Sequence, residues 1–393
     1  YCAPGNAGIA ELAETADIGV MEFDRLIQFA REKAIDLVVV GPDDPLAAGI
    51  VDAFEAAKIP IYGPRKNAAE IEGSKIFMKN LLKKYGIPTA RYETFTDYES
   101  AMAYLDSQPV PIVIKADGLA AGKGVTVCFT REEAEEALRN TMLNKVFGSA
   151  GEKVVIEEYL EGQEMSILSF VDGTTVRPMP AAQDHKPVFD GDKGPNTGGM
   201  GTYSPLPHIP QEIIDEAVEK IIKPTARALV EEGRPFRGVL FAGLMVTKDG
   251  PKTIEFNARF GDPETQVVLP RLETDLLDII QASLDGRLDE IEISWSPEAA
   301  VCVVLASEGY PGSYPKGFPI YGLDEVGEDD ALVFHAGTAR KDGQIVTSGG
   351  RVLGVVGRGA GIAEARDRAY AAAERIRFQG KMNRTDIAAK ALR

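Results

Sequence analysis

The feature that most constrains the fold is an alternation of apolar strands and amphipathic helices at the start of the chain. The segment DLVVVGP at 36–42 is apolar up to its glycine–proline turn, and the helical pattern FDRLIQFAREKAI at 23–35 precedes it. A second helical pattern, LAAGIVDAFEAAKI at 46–59, separates it from the short strand PIYGP at 60–64. Continuous apolar strands separated by helices indicate a parallel sheet with helices on both faces. We therefore expect an N-terminal α/β domain.

The loops of this Rossmann-like domain, predicted over residues 1–71, are candidates for a binding site. Ligands of such sheets bind beyond the carboxyl ends of the strands, where the segments PGN at 4–6 and GPDDPL at 41–46 fall. The chain opens with YCAPGNAGIA, which is typical of a junction between a strand and a loop. We therefore expect that a first strand belongs before Tyr1 and that the sheet is truncated here.

Composition narrows the class of function. A chain of 393 residues is long for one hydrophobic core and indicates two or three domains. The net charge of −17 repels polyanions and argues against nucleic acid as a partner. The longest apolar run, AAVCVVLA at 299–306, is far shorter than the roughly 20 residues of a transmembrane helix. Three scattered cysteines, and histidines without metal-ligand spacing, indicate a cytoplasmic protein with reduced thiols and no zinc site.

A central domain is predicted at 72–290. A helix runs from about 66 to 85 at its start, and a small lid of strands and one helix follows at about 90–160. In the lid, Thr130 and Glu133 form a capping box.

Three further elements complete the predicted organisation. The glycine-rich segment GDKGPNTGGMG at 191–201 is expected to form no regular element, and Pro224 is expected to kink a helix at 211–232. A hairpin of two buried strands is predicted at 238–260. A smaller α+β domain is predicted at 297–393.

The segment IEFNARFGDPETQ carries the sharpest chemical signal. Side chains alternate along a strand, so Glu255, Asn257 and Arg259 point to one face. A carboxylate and an amide oxygen two residues apart suit magnesium, which takes a few protein oxygens together with substrate phosphates. The guanidinium of Arg259 adds a forked donor for phosphate or carboxylate. The alternative is a solvated strand face, but the apolar neighbours and the following GDPE favour a functional site.

A glycine loop follows the apolar strand that ends in Lys115, in the stretch KADGLAAGKGVTV. It lacks the Walker pattern, because Gly118 and Gly122 enclose only three residues. Gly124, rather than Ser or Thr, follows Lys123. Glycines let backbone amides approach phosphate, and the two lysines supply positive charge. Tight turns explain most such loops, but a lysine that closes an apolar strand favours a pocket.

Polar residues after the next strand leave two interpretations open. Glu157 and Glu158 end the strand KVVIEEYL, and Glu164 follows at a spacing that could reach a ribose hydroxyl. The backbone at Tyr159 and Leu160 could bond an adenine edge. Solvated strand ends explain the same residues equally well.

The segment QDHK at 183–186 is a weaker candidate. Asp184 or His185 could bind an amino or carboxyl group, although a lone histidine in a loop is more often an ordinary surface residue. His208 and His335 are interpreted as structural.

Together these stretches resemble the ATP-grasp superfamily and, within it, the phosphoribosylamine–glycine ligase family. The resemblance covers nearly the whole chain, and RFGDPETQ matches the family's signature. The segments that carry it are, in order, APGNAG, GPDDPL, SKIFMKNLLKKYGIPTA, IKADGLAAGKGV, IEEYLEGQEMS, QDHK, NTGGMGTYSP, EFNARFGDPETQ, GYPGSYPKG, HAGT and SGGRVL. The resemblance implies an ATP-grasp fold whose lid carries the glycine loop over the phosphates of ATP, with Mg²⁺ or Mn²⁺ held elsewhere.

The resemblance also implies a reaction. ATP phosphorylates the carboxylate of glycine, and the amine of 5-phosphoribosylamine attacks the acyl phosphate to give glycinamide ribonucleotide, ADP and phosphate. Such chemistry needs neutralised charge at the transferring phosphoryl group and two well-positioned substrates. The expected partners are these small molecules, and we expect a monomeric cytoplasmic enzyme.

The functional residues of the family fall on matching positions of this sequence. Glu255 and Asn257 are the implied metal ligands. The implied ATP contacts are Lys75, Lys115, Gly118, Gly122, Lys123, Gly124, Glu157, Glu158, Tyr159, Leu160 and Glu164. The implied contacts to phosphoribosylamine are Asn6, Gly41, Pro42 and Asp43. Asp184 and Arg259 are matched to glycine and the acyl phosphate, and together with Lys115 they are the expected catalytic residues.

The sequence departs from the family at three positions. Asp43 stands where the family has Glu, Pro187 where it has Arg, and Ala388 where it has Gly. The first two bear on substrate contacts rather than on the reaction. The family opens with a strand and a glycine-rich turn, which we expect to belong before Tyr1.

Two rival hypotheses are a different ATP-grasp ligase, such as a biotin carboxylase-like enzyme, and a truncated homologue that binds nucleotide without turnover. The order of QDHK, NTGGMG and RFGDPETQ argues against the first. Measuring ATP affinity beside turnover would separate the second.

Overall fold

The N-terminal segment forms the predicted parallel sheet in the computed structural model, which describes residues 1–120 and 122–393. Strand β1 (Val38–Val39) pairs in parallel with β2 (Ile61–Tyr62), so the expected strand at 36–42 is shorter than predicted. The helices of this segment are α1 (Ile9–Leu12), α2 (Phe23–Glu32), α3 (Asp43–Ala48) and α4 (Ile50–Ala56). The helix expected at 46–59 is divided because Gly49 adopts a φ of +94° between α3 and α4.

The helix predicted from 66 to 85 is also two helices, α5 (Lys66–Gly73) and α6 (Lys75–Lys84). Ser74 separates them in an extended conformation, and its hydroxyl accepts a hydrogen bond from the backbone N–H of Phe77. This is the N-cap geometry that satisfies an otherwise unpaired amide of the first turn. The break lets the end of α5 and the start of α6 face the same cleft.

The lid is a four-stranded antiparallel sheet in the order β3-β6-β4-β5. Its elements are β3 (Tyr92–Phe95), α7 (Tyr98–Asp106), β4 (Ile112–Ala116), β5 (Val125–Cys128), α8 (Arg131–Leu138) and β6 (Val154–Glu158). The predicted capping box of α8 is confirmed, with Thr130 and Glu133 bonding each other's backbone amides. A separate hydrophobic core, which includes Leu105, Ile114 and Ile156, packs the helices on one face of the sheet. The other face is free to line the cleft.

A second four-stranded antiparallel sheet, in the order β14-β13-β7-β8, lies across this cleft. Its strands are β7 (Gln163–Asp172), β8 (Thr175–Pro178), β13 (Arg237–Thr247) and β14 (Gly250–Asn257). The predicted hairpin is confirmed as β13 and β14, with an irregular register between Gly243 and Leu244. An isolated bridge between Thr89 and Thr253 joins β14 to the segment that leads into the lid.

The third large sheet combines strands from the middle and the end of the chain. Its main path is β16-β19-β15-β12-β9, and β20 also pairs with β15. The strands are β9 (Gln183–Asp184), β12 (Gly201–Ser204), β15 (Ala299–Ser307), β16 (Leu332–His335), β19 (Arg351–Gly359) and β20 (Lys381–Met382). Residues of the QDHK and NTGGMG segments are thereby fixed to the C-terminal strands.

The expectation of no regular element at 191–201 was wrong. Strand β11 (Lys193–Asn196) pairs with β10 (Pro187–Phe189), and β12 begins at Gly201. The glycines had suggested only flexibility, but Gly194 and Gly201 adopt φ values of +82° and +157° in a paired hairpin and at a strand start. The remaining hairpin consists of β17 (Thr338–Lys341) and β18 (Gln344–Thr347).

The other helices are α9 (Gln211–Ala217), α10 (Lys223–Glu231), α11 (Thr265–Val268), α12 (Leu276–Leu284) and α13 (Ile362–Arg375). A wide π-helical turn at 218–222 lies between α9 and α10, immediately before Pro224. The helix predicted at 211–232 is therefore interrupted just ahead of Pro224, and the kink at this proline stays a prediction. Among the described residues, no helix combines the length and the hydrophobicity required to cross a membrane.

Ala34, just after the end of α2, adopts a left-handed backbone conformation that a substitution can test. Ala34 has a φ of +50°, and the N–H groups of Ala34 and Ile35 bond the carbonyls of Arg31 and Ala30. Glycine is favoured at this position because a Cβ is strained in the left-handed region. We expect Ala34→Gly to raise the free energy of unfolding by about 0.5–1 kcal/mol in urea denaturation.

Ala103→Gly is the matched control. Ala103 is exposed in the interior of α7, where the same substitution should lower the free energy of unfolding by about 1 kcal/mol. Equal effects of the two substitutions would contradict the assigned geometry.

Candidate active site

Two oxygen-bearing side chains face the cleft from β14. Glu255 and Asn257 lie on the same face, opposite Gly243 and Phe241 of β13. A Cβ at position 243 would lie 3.2 Å from the Cγ of Glu255, so the glycine leaves room for that carboxylate. Within residues 1–120 and 122–393, neither side chain takes part in a hydrogen bond or ion pair. Both are half-buried and available to a ligand.

This pair fits one particular class of cation site. In the described part of the chain, no group of three or more His, Cys, Asp or Glu residues is placed to hold a metal ion by itself. Magnesium is commonly held by one or two protein oxygens with the rest of its shell from water and substrate phosphates. A free carboxylate and a free amide on one strand face match that requirement.

A buried cluster of three charges lies beside β14. The carboxylate of Glu157 on β6 forms ion pairs with Lys79 of α6 through one oxygen and with Lys115 of β4 through the other. The exposed fractions of these side chains are 5% for Glu157, 0% for Lys79 and 3% for Lys115. The sequence prediction included Glu157 and Lys115 but missed Lys79. Its position one turn after Lys75 on α6 was the available signal.

Backbone carbonyls of β14 complete the cluster. The Nζ of Lys115 donates to the carbonyl of Ile254 at 3.3 Å. Lys79 donates to the hydroxyl of Thr89 at 2.7 Å, and that hydroxyl donates to the carbonyl of Thr253 at 2.9 Å. The cluster therefore joins the lid and α6 to the strand residues immediately before Glu255.

The buried environment changes the proton affinities of two members of the cluster. Burial lowers the pKa of Lys79 to about 8, although the Glu157 carboxylate opposes this shift. Burial also opposes ionisation of Glu157, but the ammonium groups of Lys115 and Lys79 hold its pKa below the usual value. Glu157 is therefore an anion held between two lysines rather than a solvated strand end.

Lys75 ties the glycine loop to the start of α6. Its Nζ donates to the carbonyl of Gly118 at 3.0 Å. The carboxylate of Asp117 accepts from the Ser74 hydroxyl at 3.0 Å and from the Ile76 N–H at 2.8 Å. Burial lowers the pKa of Lys75, Glu255 opposes the shift and Lys115 adds to it, so these charged groups share one cleft.

The glycine loop leaves the lid at the end of β4. Gly118 packs so closely on Ala150 that an added Cβ would lie 2.9 Å from the Ala150 side chain. Gly122 has a φ of +73°, and the carbonyl of Gly124 accepts from the Ala116 N–H. Lys123 is exposed, whereas Lys115 is buried. The loop predicted at 118–124 includes Ala121, which lies outside the described residues.

The residues from the end of β6 to the start of β7 differ in exposure. Glu158 is paired with Arg91, accepting from its backbone N–H at 2.9 Å and from its Nε at 3.0 Å. The ring of Tyr159 packs edge-on against Phe129, with centroids 5.7 Å apart. Leu160 is half-buried, and Glu164 is exposed at the start of β7. Tyr159 and Leu160 therefore follow a strand end that Arg91 holds in place.

Arg259 lies just beyond β14 and pairs with a residue that the sequence prediction missed. Its guanidinium lies 3.1 Å from the carboxylate of Glu72 at the end of α5, which also accepts from the Ala258 N–H at 2.7 Å. Burial raises the pKa of Glu72 to about 7, Arg259 opposes this, and Asp43 adds to it. The N-terminal turn therefore approaches Arg259. In that turn Gly41 and Pro42 are exposed, and Asp43 is half-buried at the start of α3.

Asp184 lies in a second cluster of charged side chains, together with Lys186 and Glu264. Its carboxylate lies 2.9 Å from the Nζ of Lys186, and the nearby Glu264 of the GDPE segment is buried. Burial raises the pKa of Glu264 to about 7, with Lys186 opposing the shift. Gly199 approaches Asp184 so closely that an added Cβ would lie 2.6 Å from its carboxylate.

His185 is buried, so the interpretation as a surface histidine was wrong. Its Nδ1 lies 2.9 Å from the carbonyl of Gly201, and its Nε2 accepts from the Ala388 N–H at 3.3 Å. Ala388 has a φ of +64°, which is the reason that glycine suits this position. His185 joins β12 to the C-terminal tail.

Asn6 has partners for both of its polar atoms. Its amide donates to the carbonyls of His335 and Ala336, at 2.8 and 3.1 Å, and its oxygen accepts from the Ile9 N–H. The side chain predicted to bind substrate therefore also fastens the N-terminal loop to the C-terminal part of the chain.

Arg351 of β19 was named at the sequence level only as part of the segment SGGRVL. It donates to the carbonyls of Gly198 and Asp262, at 3.0 and 3.1 Å, and to the Asp262 carboxylate at 3.0 Å. One C-terminal side chain thus holds the NTGGMG and GDPE loops together. No local pattern in the sequence reveals a contact of this range.

Comparison with protein families gives three matches that together span most of the chain. The N domain of phosphoribosylglycinamide synthetase matches residues 1–72, its ATP-grasp (A) domain matches 73–265 and its C domain matches 300–390. A phosphoribosylamine–glycine ligase from Halalkalibacterium halodurans is 54% identical over 392 residues, covering 100% of this chain and 91% of that protein.

Solved structures agree with these matches. The crystal structure of phosphoribosylamine–glycine ligase from Thermotoga maritima aligns with a TM-score of 0.85 and 36% identity, covering 98% of this chain and 93% of that one. The biotin carboxylase domain of the Hydrogenobacter thermophilus 2-oxoglutarate carboxylase, in complex with MgADP, ADP and bicarbonate, aligns with a TM-score of 0.73. At 18% identity, with 95% of this chain and 83% of that one covered, it shows the shared fold only.

The contacts of Arg351 lead to a prediction. We expect Arg351→Met to lower the turnover of ATP about tenfold or more, because small displacements of site loops cost catalytic efficiency steeply. Arg358→Met is the control, since Arg358 is exposed on the same strand and makes one long contact, 3.4 Å to the carbonyl of Pro270. Steady-state ADP release would measure both. Equal activity of the two variants would show that Arg351 does not organise the site.

Proposed function

The chain belongs to the phosphoribosylglycinamide synthetase family, and we propose that the cleft between the lid and β14 is where it joins glycine to 5-phosphoribosylamine. It is an ATP-dependent carboxylate–amine ligase of purine biosynthesis. The observation that carries the assignment of the cleft is the free pair Glu255 and Asn257 beside the lysines of α6 and β4. Oxygen ligands next to positive charge are what a metal-bound triphosphate requires.

ATP is proposed to lie between the lid sheet and β14. The adenine edge would bond the backbone at Tyr159 and Leu160, and Glu164 would reach the ribose. The glycine loop from Gly118 to Gly124 would cover the phosphates, with its amides as donors. The pKa of Lys75 responds both to Glu255 and to Lys115, and this closeness of the three groups supports the contact of both lysines with the phosphates.

Glu255 and Asn257 are the proposed ligands of Mg²⁺ or Mn²⁺. When bound, such an ion neutralises phosphate charge and orients the transferring group. This chain contributes an anionic and a neutral oxygen that have no competing partner among the described residues. The two lysines hold additional phosphate charge on the other side of the cleft.

Two chemical steps follow from this placement. A carboxylate oxygen of glycine attacks the γ-phosphorus, and ADP leaves with the electron pair of the broken bond. The amine of phosphoribosylamine then attacks the acyl carbon, phosphate leaves, and the amine nitrogen loses a proton. Arg259 would orient the carboxylate and the acyl phosphate, and its ion pair with Glu72 supports this role.

The two substrates are proposed to enter from opposite sides of Arg259. Phosphoribosylamine would contact the turn Gly41 to Asp43 and the loop of Asn6, while Asp184 would receive the ammonium group of glycine. Asp43 lies close enough to Glu72 and Arg259 to raise the pKa of each, and this supports the arrangement. A monomeric state and a cytoplasmic location are part of the same proposal.

The test is ADP release with Mg²⁺ and ATP, with glycine and with phosphoribosylamine formed from ribose 5-phosphate and ammonia. We expect release to need both substrates. Release with neither substrate, or with bicarbonate in place of glycine, would contradict the assigned reaction.

Removal of the proposed metal ligand should abolish this activity. We expect Glu255→Gln to lower ADP release by about a thousandfold or more, because charge on the phosphates is then left unneutralised, while the melting temperature stays close to that of the parent. Asp249→Asn, at the exposed tip of the same hairpin, should keep full activity. Near-normal turnover of Glu255→Gln would refute the metal assignment.

A further inference from the structure

Lys79 carries a charge that neighbouring groups enclose. Its side chain is completely buried on α6, and its ammonium group contacts Glu157 and Thr89. The Nζ also lies 5.5 Å from the centroid of the Tyr92 ring. Lys115, by contrast, also bonds the carbonyl beside Glu255 and shares that cleft with Lys75. Lys115 is therefore the lysine proposed to meet the phosphates, and any role of Lys79 acts through its neighbours.

The charge balance of the cluster indicates what that role is. Glu157 alone would fix Lys115 in place by an ion pair, but a buried pair of opposite charges is neutral and offers little attraction to a phosphate. With Lys79 on the second oxygen of the same carboxylate, two ammonium groups share one negative charge. One net positive charge therefore remains, and the Lys115 ammonium lies at the carbonyl of Ile254, next to Glu255.

A purely structural explanation fits less well. Burying a charge is costly, and buried ion pairs can often be replaced by apolar residues without loss of stability. Lys79 also links α6 to Thr89 and through it to β14, but a neutral side chain with a hydrogen-bond donor could make that link without burying a third charge. The nearby Glu158 does not alter the balance, since Arg91 pairs with it.

We propose that Lys79 is a positioning residue whose positive charge lets Glu157 hold Lys115 without cancelling its attraction for the phosphates of the nucleotide. The inference rests on the proposed binding of ATP in this cleft. If it is correct, Lys79 strengthens the binding of the phosphates without contacting them, and it does not affect the binding of the adenosine part of the nucleotide.

The experiment compares the binding of ADP and of adenosine by calorimetry. Loss of one unshielded charge near the phosphates should weaken ADP binding about tenfold in Lys79→Met. Adenosine binding should stay within about twofold of the parent, since the substitution leaves Tyr159 and Leu160, where adenine is proposed to bind, unchanged. Lys84→Met removes an exposed charge that pairs with Glu232 on another face of the same helix, and it should change neither affinity.

A charge-restoring double variant separates charge from shape. Lys79→Met with Glu157→Gln leaves Lys115 with a neutral partner, so the cluster again carries one positive charge, and ADP affinity should recover. If Lys79→Met does not fold, Lys79→Gln, which keeps a donor for Thr89 but has no charge, replaces it in both comparisons.

The outcomes distinguish this inference from the proposed function. Equal weakening of ADP and adenosine in Lys79→Met, or no recovery of ADP affinity in the double variant, would overturn the role of Lys79 alone. Failure of the unaltered protein to bind ADP at all would overturn the nucleotide site and this inference with it.

Discussion

The arrangement of the site depends on one buried carboxylate. Glu157 holds Lys79 of α6 and Lys115 of β4. Lys115 bonds the Ile254 carbonyl of β14 directly, and Lys79 reaches the same strand through the hydroxyl of Thr89. Three elements that are distant in sequence therefore meet at one ionic cluster. A charge buried this deeply is tolerated only when paired, so the position of each element constrains the others. Glu255 and Asn257, the proposed metal ligands, follow directly on the strand that this cluster fixes.

The rest of the chain supports the opposite side of the cleft. The sheet that carries Asp184 and Gly201 continues into the C-terminal strands, and Arg351 binds the two loops that follow them. Asn6 and His185 add contacts from the N-terminal loop and the C-terminal tail. The C-terminal region is thus part of the framework of the site, and its matching family domain is present at 300–390.

Local sequence patterns predicted the elements and the chemistry better than they predicted the contacts. Alternation along a strand placed Glu255 and Asn257 on one face, and the capping box of α8 was evident from Thr130 and Glu133. Resemblance to a known family supplied the reaction. Lys79, Glu72 and Arg351 were missed because their roles depend on partners 70 to 190 positions away. Such pairings are set by packing between elements, which no short motif encodes.

The central claim is that the cleft activates the carboxylate of glycine by phosphorylation before the amine attacks. The most direct measurement uses glycine labelled with ¹⁸O in its carboxylate and follows the label by mass spectrometry of the inorganic phosphate released. The account predicts one labelled oxygen in each phosphate formed, because the bond between carbon and that oxygen breaks when the amine displaces phosphate. Unlabelled phosphate, formed at the same rate as the ligated product, would contradict it.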